Sequence, residues 1–355
     1  MKPIDVAVIG TGWCGGIRAE TLAAHSLVGG LHVAETNKER LAEISKKTRA
    51  RTATTDYKEL LSTKEIEAVY VSTTPESTHY PIAKDSLMAG KHVFLEKPMA
   101  MTLEQADELI NLAKNKKLKF TIGYSQRFNP KYAYVRKCVR DGTIGKPVSA
   151  LVSRHLTRGL GQKISGRVKL SPAAMECTHD LDFLFWCLEP AKPVRVYSQA
   201  NYGAMKEASG GADIADTQWV AVTMDSGLSF VVGGGWSLPP GYPNFSTTWI
   251  EMIGTEGAIL LDDSHRDFVL NTTKAGMQLP MSTMPGEAVE HTYAGPMAAE
   301  TVHFLEAVAL GRPVLVTPEH ARTVMEVYIA ADLSAESNQP VALPLGNSKT
   351  IRAAA

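Results

Sequence analysis

Asp5-Val-Ala-Val-Ile-Gly10-Thr-Gly12-Trp-Cys-Gly15 decides the fold of this chain. An apolar run enters a Gly-x-Gly-x-x-Gly turn, and the turn leads into a segment of helical spacing, Ile17 to Ala24. Gly10 permits the tight bend, Gly12 lets backbone approach a pyrophosphate, and Gly15 lets helix and strand pack closely. The amino end of the helix offers free N–H groups to phosphate, and Trp13 and Cys14 of the turn are expected at the cofactor. Glu35 stands twenty residues after Gly15, at the end of the next apolar run, where a carboxylate accepts ribose hydroxyls. Strand before, helix after and acid at that distance point to dinucleotide binding rather than a plain glycine turn.

The same alternation continues outward from this turn. Leu31–Ala34, Ala68–Ser72, His92–Leu95 and Phe120–Gly123 read as strands. Lys38–Lys47 behind the cap Asn37, His79–Ala89, and the run from the capping box Thr102-Leu-Glu-Gln105 to about Lys116 read as helices. Strands separated by helices predict a parallel sheet covered on both faces. Residues 1–124 are thus expected to form an NAD-binding Rossmann domain of α/β class.

Near Pro147 the pattern changes. Val148–His155, Val194–Asn201, Gln218–Met224, Leu228–Gly233, Thr247–Ile253 and Ala258–Asp262 read as strands, with turns at Asp225-Ser-Gly227 and Thr255-Glu-Gly257. One helix, Ala174–Leu188, interrupts them, and Pro296–Leu310 and Pro318–Glu336 close the chain. Residues 125–347 are expected to be an α+β domain on an open antiparallel sheet, serving substrate binding and oligomerisation.

Composition excludes several functions. Lys+Arg and Asp+Glu both number 37, which gives no bulk attraction to nucleic acid or an anionic membrane. Cys14, Cys138, Cys177 and Cys187 form no C-x-x-C pair, so no metal site is expected and reduced thiols of a cytoplasmic protein are. Met1-Lys-Pro-Ile-Asp5 runs straight into the first strand and reads as having no signal peptide, and no run of eighteen apolar residues suggests a membrane span.

Three further segments complete the reading: Glu96-Lys97-Pro98, Gly123-Tyr-Ser-Gln-Arg-Phe-Asn-Pro130 and His179-Asp-Leu-Asp182. With the first turn, and in the same order and spacing, they resemble the glucose-fructose oxidoreductase / inositol dehydrogenase / rhizopine catabolism family, Gfo/Idh/MocA. The resemblance covers nearly the whole chain. It implies a Rossmann domain plus a β-sheet domain with the active site between them, and oxidation or reduction of a secondary alcohol of a sugar, cyclitol or related molecule. It also implies dimers or tetramers packed through the open sheet.

By that resemblance Lys97 is the catalytic lysine, against the alternative of a solvated surface lysine, with Glu96 beside it at the cofactor. His179 matches the family histidine that takes the hydroxyl proton, against a core histidine bonded to a carbonyl. Relatives commonly carry Asp four residues before it. This chain has Met175 there and Glu176 one residue on. Glu176 either orients His179, or binds a substrate hydroxyl, or is a displaced, unrelated carboxylate.

Glu35 followed by Thr36 and Asn37 favours NAD, while Lys38 and Arg40 keep NADP open. The loop Thr73-Thr74-Pro75 and His79 are expected beside the cofactor, with helix capping the other role for His79. Arg127 is placed at the cofactor amide or phosphate, or in an interdomain ion pair. Arg154 and His155 are expected at substrate, and they lead into a segment with Gly159, Gly161 and Gly166 that reads as a mobile loop, either a lid over substrate or a plain surface loop. Trp236 is read as stacking on a sugar face, or as core or interface. The expected activity is an NAD-dependent dehydrogenase acting on a secondary hydroxyl, for instance C3 of a pyranose. Its rivals are a redox-neutral enzyme that keeps its NAD while cleaving or epimerising a glycoside, and an NAD(H)-sensing binding protein.

Overall fold

The strand before the glycine turn, β1 (Ile4–Ile9), is apolar on both faces, and Val6, Ala7 and Val8 are completely buried. Such a strand belongs in the middle of a covered parallel sheet. In the computed structural model, which describes residues 3–166, 170–209, 211, 213–264, 268–279, 287–290 and 292–345, β1 lies between β2 (Val28–Ala34) and β4 (Ile66–Val71). With β3 (Thr52–Thr54), β5 (His92–Leu95) and β6 (Phe120–Ile122) the order is 3-2-1-4-5-6, and every pairing is parallel. The order reverses between β1 and β4, where open α/β sheets bind ligands. The connecting helices are α1 (Trp13–Ala23), α2 (Lys38–Thr48), α3 (Tyr57–Ser62), α4 (His79–Met88) and α5 (Leu103–Asn115). Asn37 and Thr102 cap α2 and α5 through their side chains, as expected.

A late helix, Pro296–Ala309, completes this core. Its Phe304 and Leu305 pack with Val6, Leu22, Val33 and Phe94, and the Tyr70 and Phe304 rings meet edge to face at 5.3 Å. The described residues within Met1–Phe128 and Met284–Arg322 therefore form one compact unit, and those within Asn129–Thr283 and Thr323–Ala355 the other. The six strands of the first sheet all precede residue 124, and the chain returns to the first unit through this helix because its aromatic face has its partners there.

The second unit holds α6 (Pro130–Arg140), β7 (Pro147–Thr157), α7 (Arg158–Ser165), α8 (Thr178–Leu188), β8 (Pro193–Asn201), α9 (Ala204–Ala208), β9 (Thr217–Met224), β10 (Ser229–Leu238), β11 (Ser246–Gly254) and β12 (Ala258–Asp262). The sheet order is 12-11-7-10-9-8, with a last short strand Val341–Ala342 beside β8. All pairings are antiparallel except one. β7 enters between β11 and β10 and runs parallel to β10, so the open sheet is mixed.

Along β7, Ala150, Val152, Arg154 and Leu156 are buried on one face. The other face keeps Tyr197, Trp219, Trp249, Ile253 and Leu260 partly exposed on its neighbouring strands. Two local outcomes differ from expectation. The glycine-containing stretch after β7 is helix α7 rather than an open loop. The helix expected over Ala174–Leu188 starts as a π-turn, Ala173–Cys177, before α8. Among the described residues no helix is long and apolar enough to cross a membrane.

Candidate active site

The glycine turn is shaped from both sides. Gly10 has φ +80°, and a Cβ on it would come within 2.6 Å of the Ser72 carbonyl oxygen at the end of β4. A Cβ on Gly15 would lie 1.9 Å from the Gly10 carbonyl oxygen, so strand and helix meet in direct contact. Gly12 is different: no atom lies within 4 Å of where its Cβ would be. Packing does not demand a glycine there, and its absence of a side chain leaves room for close approach of a pyrophosphate. No side chain caps α1, its first turn carries no acid, and the buried Ser72 Oγ beside the turn has no hydrogen-bond partner among the described residues. These features fit a dinucleotide. Trp13 and Cys14 occupy the first positions of α1, with the Trp13 side chain exposed.

Glu35 is held at this turn. The Thr11 N–H donates to Glu35 Oε2 at 2.8 Å and the Asn37 N–H to Oε1 at 3.0 Å. Burial works against its ionisation, but the N–H groups of Asn37 and Thr11 and the hydroxyls of Thr11 and Thr36 outweigh it, and its pKa lies below the usual carboxylate range. Arg40 donates to the Thr11 carbonyl at 2.7 Å and pairs with Glu43, so its charge is already engaged.

At the end of β5, Lys97 is half-buried and the Lys97–Pro98 peptide is cis. Glu96 does not turn freely into the turn region. Arg18 of α1 grips Glu96 Oε1 through Nε and Nη2 at 3.0 and 2.5 Å, and also donates to Glu300 and Thr301 at 2.9 and 2.8 Å. Burial opposes the guanidinium charge, but Glu96 and Glu300 outweigh it and raise the pKa above its ordinary value. The sequence reading missed Arg18, because an arginine in a helix gives no sign that it points inward. The nearby Cys14 thiol is pushed up to about 12, first by burial and then by the Glu96 carboxylate, which makes it a neutral thiol rather than a nucleophile.

His79 is buried, and its ring nitrogens lie 2.7 Å from the Pro98 carbonyl oxygen and 2.9 Å from that of Thr73. It braces the Thr73-Thr74-Pro75 loop, where the Thr74–Pro75 peptide is cis, to the turn that carries Lys97. Arg127 is buried and donates to the Leu315 carbonyl within the first unit.

In the second unit, α8 lies on the buried sheet face, and every one of its residues is buried except His179. The helix buries Asp180 and Asp182 along with its apolar residues, yet it leaves one imidazole partly accessible. Asp180, next in sequence, is completely buried and receives Arg154 Nε and Nη2 at 2.8 and 2.7 Å. Arg154 therefore ties α8 to β7 instead of meeting substrate as expected. Burial opposes its charge, and Asp180 more than offsets this and raises its pKa. His155, one residue on, faces the opposite side of the sheet, near Ser237 and the Trp219 ring, and burial lowers its pKa. Adjacent residues on a strand face opposite sides, so Arg154 and His155, both expected at substrate, do not share one site.

Glu176 sits in the π-turn, buried at 7 % exposure, and Trp236 Nε1 donates to its Oε1 at 2.8 Å. The Trp236 side chain is completely buried, so it has no ring face for a sugar and instead holds a carboxylate. Met175, where the family resemblance implies Asp, is buried next to it in sequence. Gln218 fixes the start of the π-turn, accepting from the Ala173 N–H and donating to Ser198 Oγ and Asp332 Oδ1, each at 3.1 Å.

The glycine turn of the first unit is shaped for a dinucleotide, and likeness to known enzymes makes the chain a dinucleotide-dependent oxidoreductase acting on CH–OH groups. It belongs to the Gfo/Idh/MocA family. The family model described as "Oxidoreductase family, NAD-binding Rossmann fold" matches residues 4–124, and "Oxidoreductase family, C-terminal alpha/beta domain" matches residues 136–343. The chain is 27 % identical to scyllo-inositol 2-dehydrogenase (NAD(+)) of Bacillus subtilis, over 98 % of each chain. It is 29 % identical to UDP-N-acetylglucosamine 3-dehydrogenase of Acidithiobacillus ferrooxidans, over 95 % of this chain and 99 % of that one. Its fold matches the crystal structure of GenD2 from gentamicin A biosynthesis in complex with NAD, with a TM-score of 0.84, 23 % identity and 97 % of each chain covered.

Proposed function

We propose that the protein oxidises a secondary hydroxyl of a sugar, cyclitol or glycoside with NAD, and that C3 of a pyranose is the carbon attacked. His179 carries this reading. It is the one accessible residue of a helix otherwise wholly buried, and a neutral imidazole there suits removal of a hydroxyl proton. The family resemblance assigns Lys97 to the proton exchange as well, and Glu176, held by Trp236, binds a hydroxyl or steadies His179. The dinucleotide, when bound, supplies the hydride acceptor. Gly12 and the first turn of α1 would hold its pyrophosphate, and Glu35 its ribose.

Two details rest on the same residues. Glu35, held ionised, favours NAD over NADP because a ribose phosphate would meet a fixed negative charge. The relative from Acidithiobacillus ferrooxidans, named for oxidation at position 3 of a sugar, supports C3. The partly exposed aromatic face of the second sheet, with Trp219, Trp249 and Leu260, is proposed as the contact between copies of a homo-oligomer. Free cysteines suit a cytoplasmic setting.

The test is a screen of polyols, aldoses and glycosides for nicotinamide reduction, with NAD and NADP in parallel and product sugars analysed for a keto group. NADH and a 3-keto sugar are expected. Turnover of a glycoside without free NADH would replace this reading with the redox-neutral one.

A further inference from the structure

We propose that a pocket in the second unit, where β7 and β10 end, binds an anionic substituent of the substrate, a carboxylate or a phosphate. This rests on the sugar-type substrate argued above. The pocket encloses about 340 Å³ and is lined by Thr157, Arg158 and Gln162 on one side and Pro239, Pro240 and Tyr242 on another. Its size falls within the ~300–1,000 Å³ of small-molecule sites. The register pair Leu238–Thr157 holds the two walls together.

Arg158 is the charged residue of this lining, and none of the lining residues is acidic. Its Nε is buried and has no hydrogen-bond partner among the described residues. A donor kept from water and left unbonded is unfavourable, so such groups normally meet a partner. A guanidinium among proline and tyrosine walls selects a planar or tetrahedral anion, which its fork bonds twice. The chain adds to this potential. Arg158 begins α7, whose cap Thr157 makes no side-chain cap bond and whose first turn carries no acid.

The pocket also adjoins the candidate active site within the same unit. α7 lies against the Cβ–Cγ end of the Trp236 side chain, where a Cβ on Gly161 would come within 2.6 Å, and Glu176 lies at the Nε1 end. One indole separates the helix that carries Arg158 from the carboxylate that meets the hydroxyls. A sugar held at Glu176 can thus extend an acidic group, or an acidic second residue, toward Arg158.

The experiment compares binding of glucose, glucuronate and glucose 1-phosphate to the full-length enzyme with NAD present, by titration calorimetry. At least one acidic sugar is expected to bind roughly tenfold or more tightly than glucose. That ratio should shrink as salt is raised and fall to near one in Arg158→Gln. Preference for glucuronate alone assigns a carboxylate, and preference for the phosphate alone assigns a phosphate. Each ratio is measured within one protein sample, so partial misfolding of the variant cancels. No preference in the wild type, or a preference that survives in Arg158→Gln, overturns the proposal. NADH formed in the same samples decides the dehydrogenase reading separately. An Arg158-dependent preference with no NADH from any sugar sinks that reading and leaves the pocket assignment standing.

Discussion

Trp236 on β10 donates its indole N–H to Glu176 Oε1 at 2.8 Å, joining the sheet to the π-turn before α8. Both side chains are buried, so this bond sets where the carboxylate points. Trp236→Phe keeps most of the ring and removes the donor. Hydrogen bonds to charged groups contribute about 1.5–3 kcal/mol, so kcat/KM should fall by roughly ten- to a hundredfold. Steady-state kinetics beside a thermal melt check this. Unchanged kinetics in a folded variant would remove Glu176 from the reaction.

The Arg154–Asp180 pair is a matter of stability before activity. Both groups are buried, and the fork is bidentate. Arg154→Met strands the Asp180 charge, and breaking such a pair costs about 3–5 kcal/mol. Arg154→Met combined with Asp180→Leu removes both charges and should recover most of that loss. Urea denaturation of the three proteins measures it. Equal stability of single and double variants would show that the charges are not coupled.

What could be read in advance follows from how local each signal is. β1, the glycine turn and Glu35 were legible because strand, turn and acid lie within about thirty residues and each type has one physical use there. Lys97 and His179 came from motif resemblance. The second unit was harder, because its site is made by contacts between distant segments. Gly161 reads as a loop residue, yet it sits in a helix where the Trp236 side chain leaves no room for a Cβ. Gly233 likewise reads as slack, while the Trp219 ring lies where its side chain would be. Trp236 beside three glycines reads either as a sugar platform or as core, and its complete burial makes it core. The period-two rule alone separates Arg154 from His155, once β7 is known to run on to Thr157. α6 was overlooked although Asn129-Pro130 announces it, with the Asn129 side chain accepting from the Lys131 N–H.

Two glycines of the first turn should respond in opposite ways to the same change. Gly12→Ala adds a methyl where no protein atom lies within 4 Å, so the melting temperature should barely move. Affinity for NAD should fall by about tenfold or more, since the methyl takes the space of the pyrophosphate. Gly15→Ala drives a methyl against the Gly10 carbonyl oxygen and should destabilise the fold by about 3 kcal/mol, the upper end of overpacking. Calorimetric titration with NAD and denaturant melts separate the two. Normal NAD affinity in Gly12→Ala would mean that the cofactor does not pass over this turn.

Asp332 should make stability depend on pH in an unusual direction. Its Oδ1 accepts from Gln218, while its Oδ2 is buried with no hydrogen-bond partner among the described residues. Burial raises its pKa to about 7, against the lowering effect of Ser171 and Gln218, whereas an unfolded aspartate titrates near ~3.9. Between those values the folded protein binds the extra proton, so this group's contribution falls as pH rises from about 4 through about 7. Asp332→Asn should remove that decline and be more stable than the wild type above pH 7. Gln218 links Asp332 to the Ala173 N–H, so ionisation also loads the turn that bears Glu176. Urea midpoints from pH 5 to 8 for both proteins test it. Parallel curves, with no convergence toward the acid end, would show that Asp332 is already ionised in the folded protein.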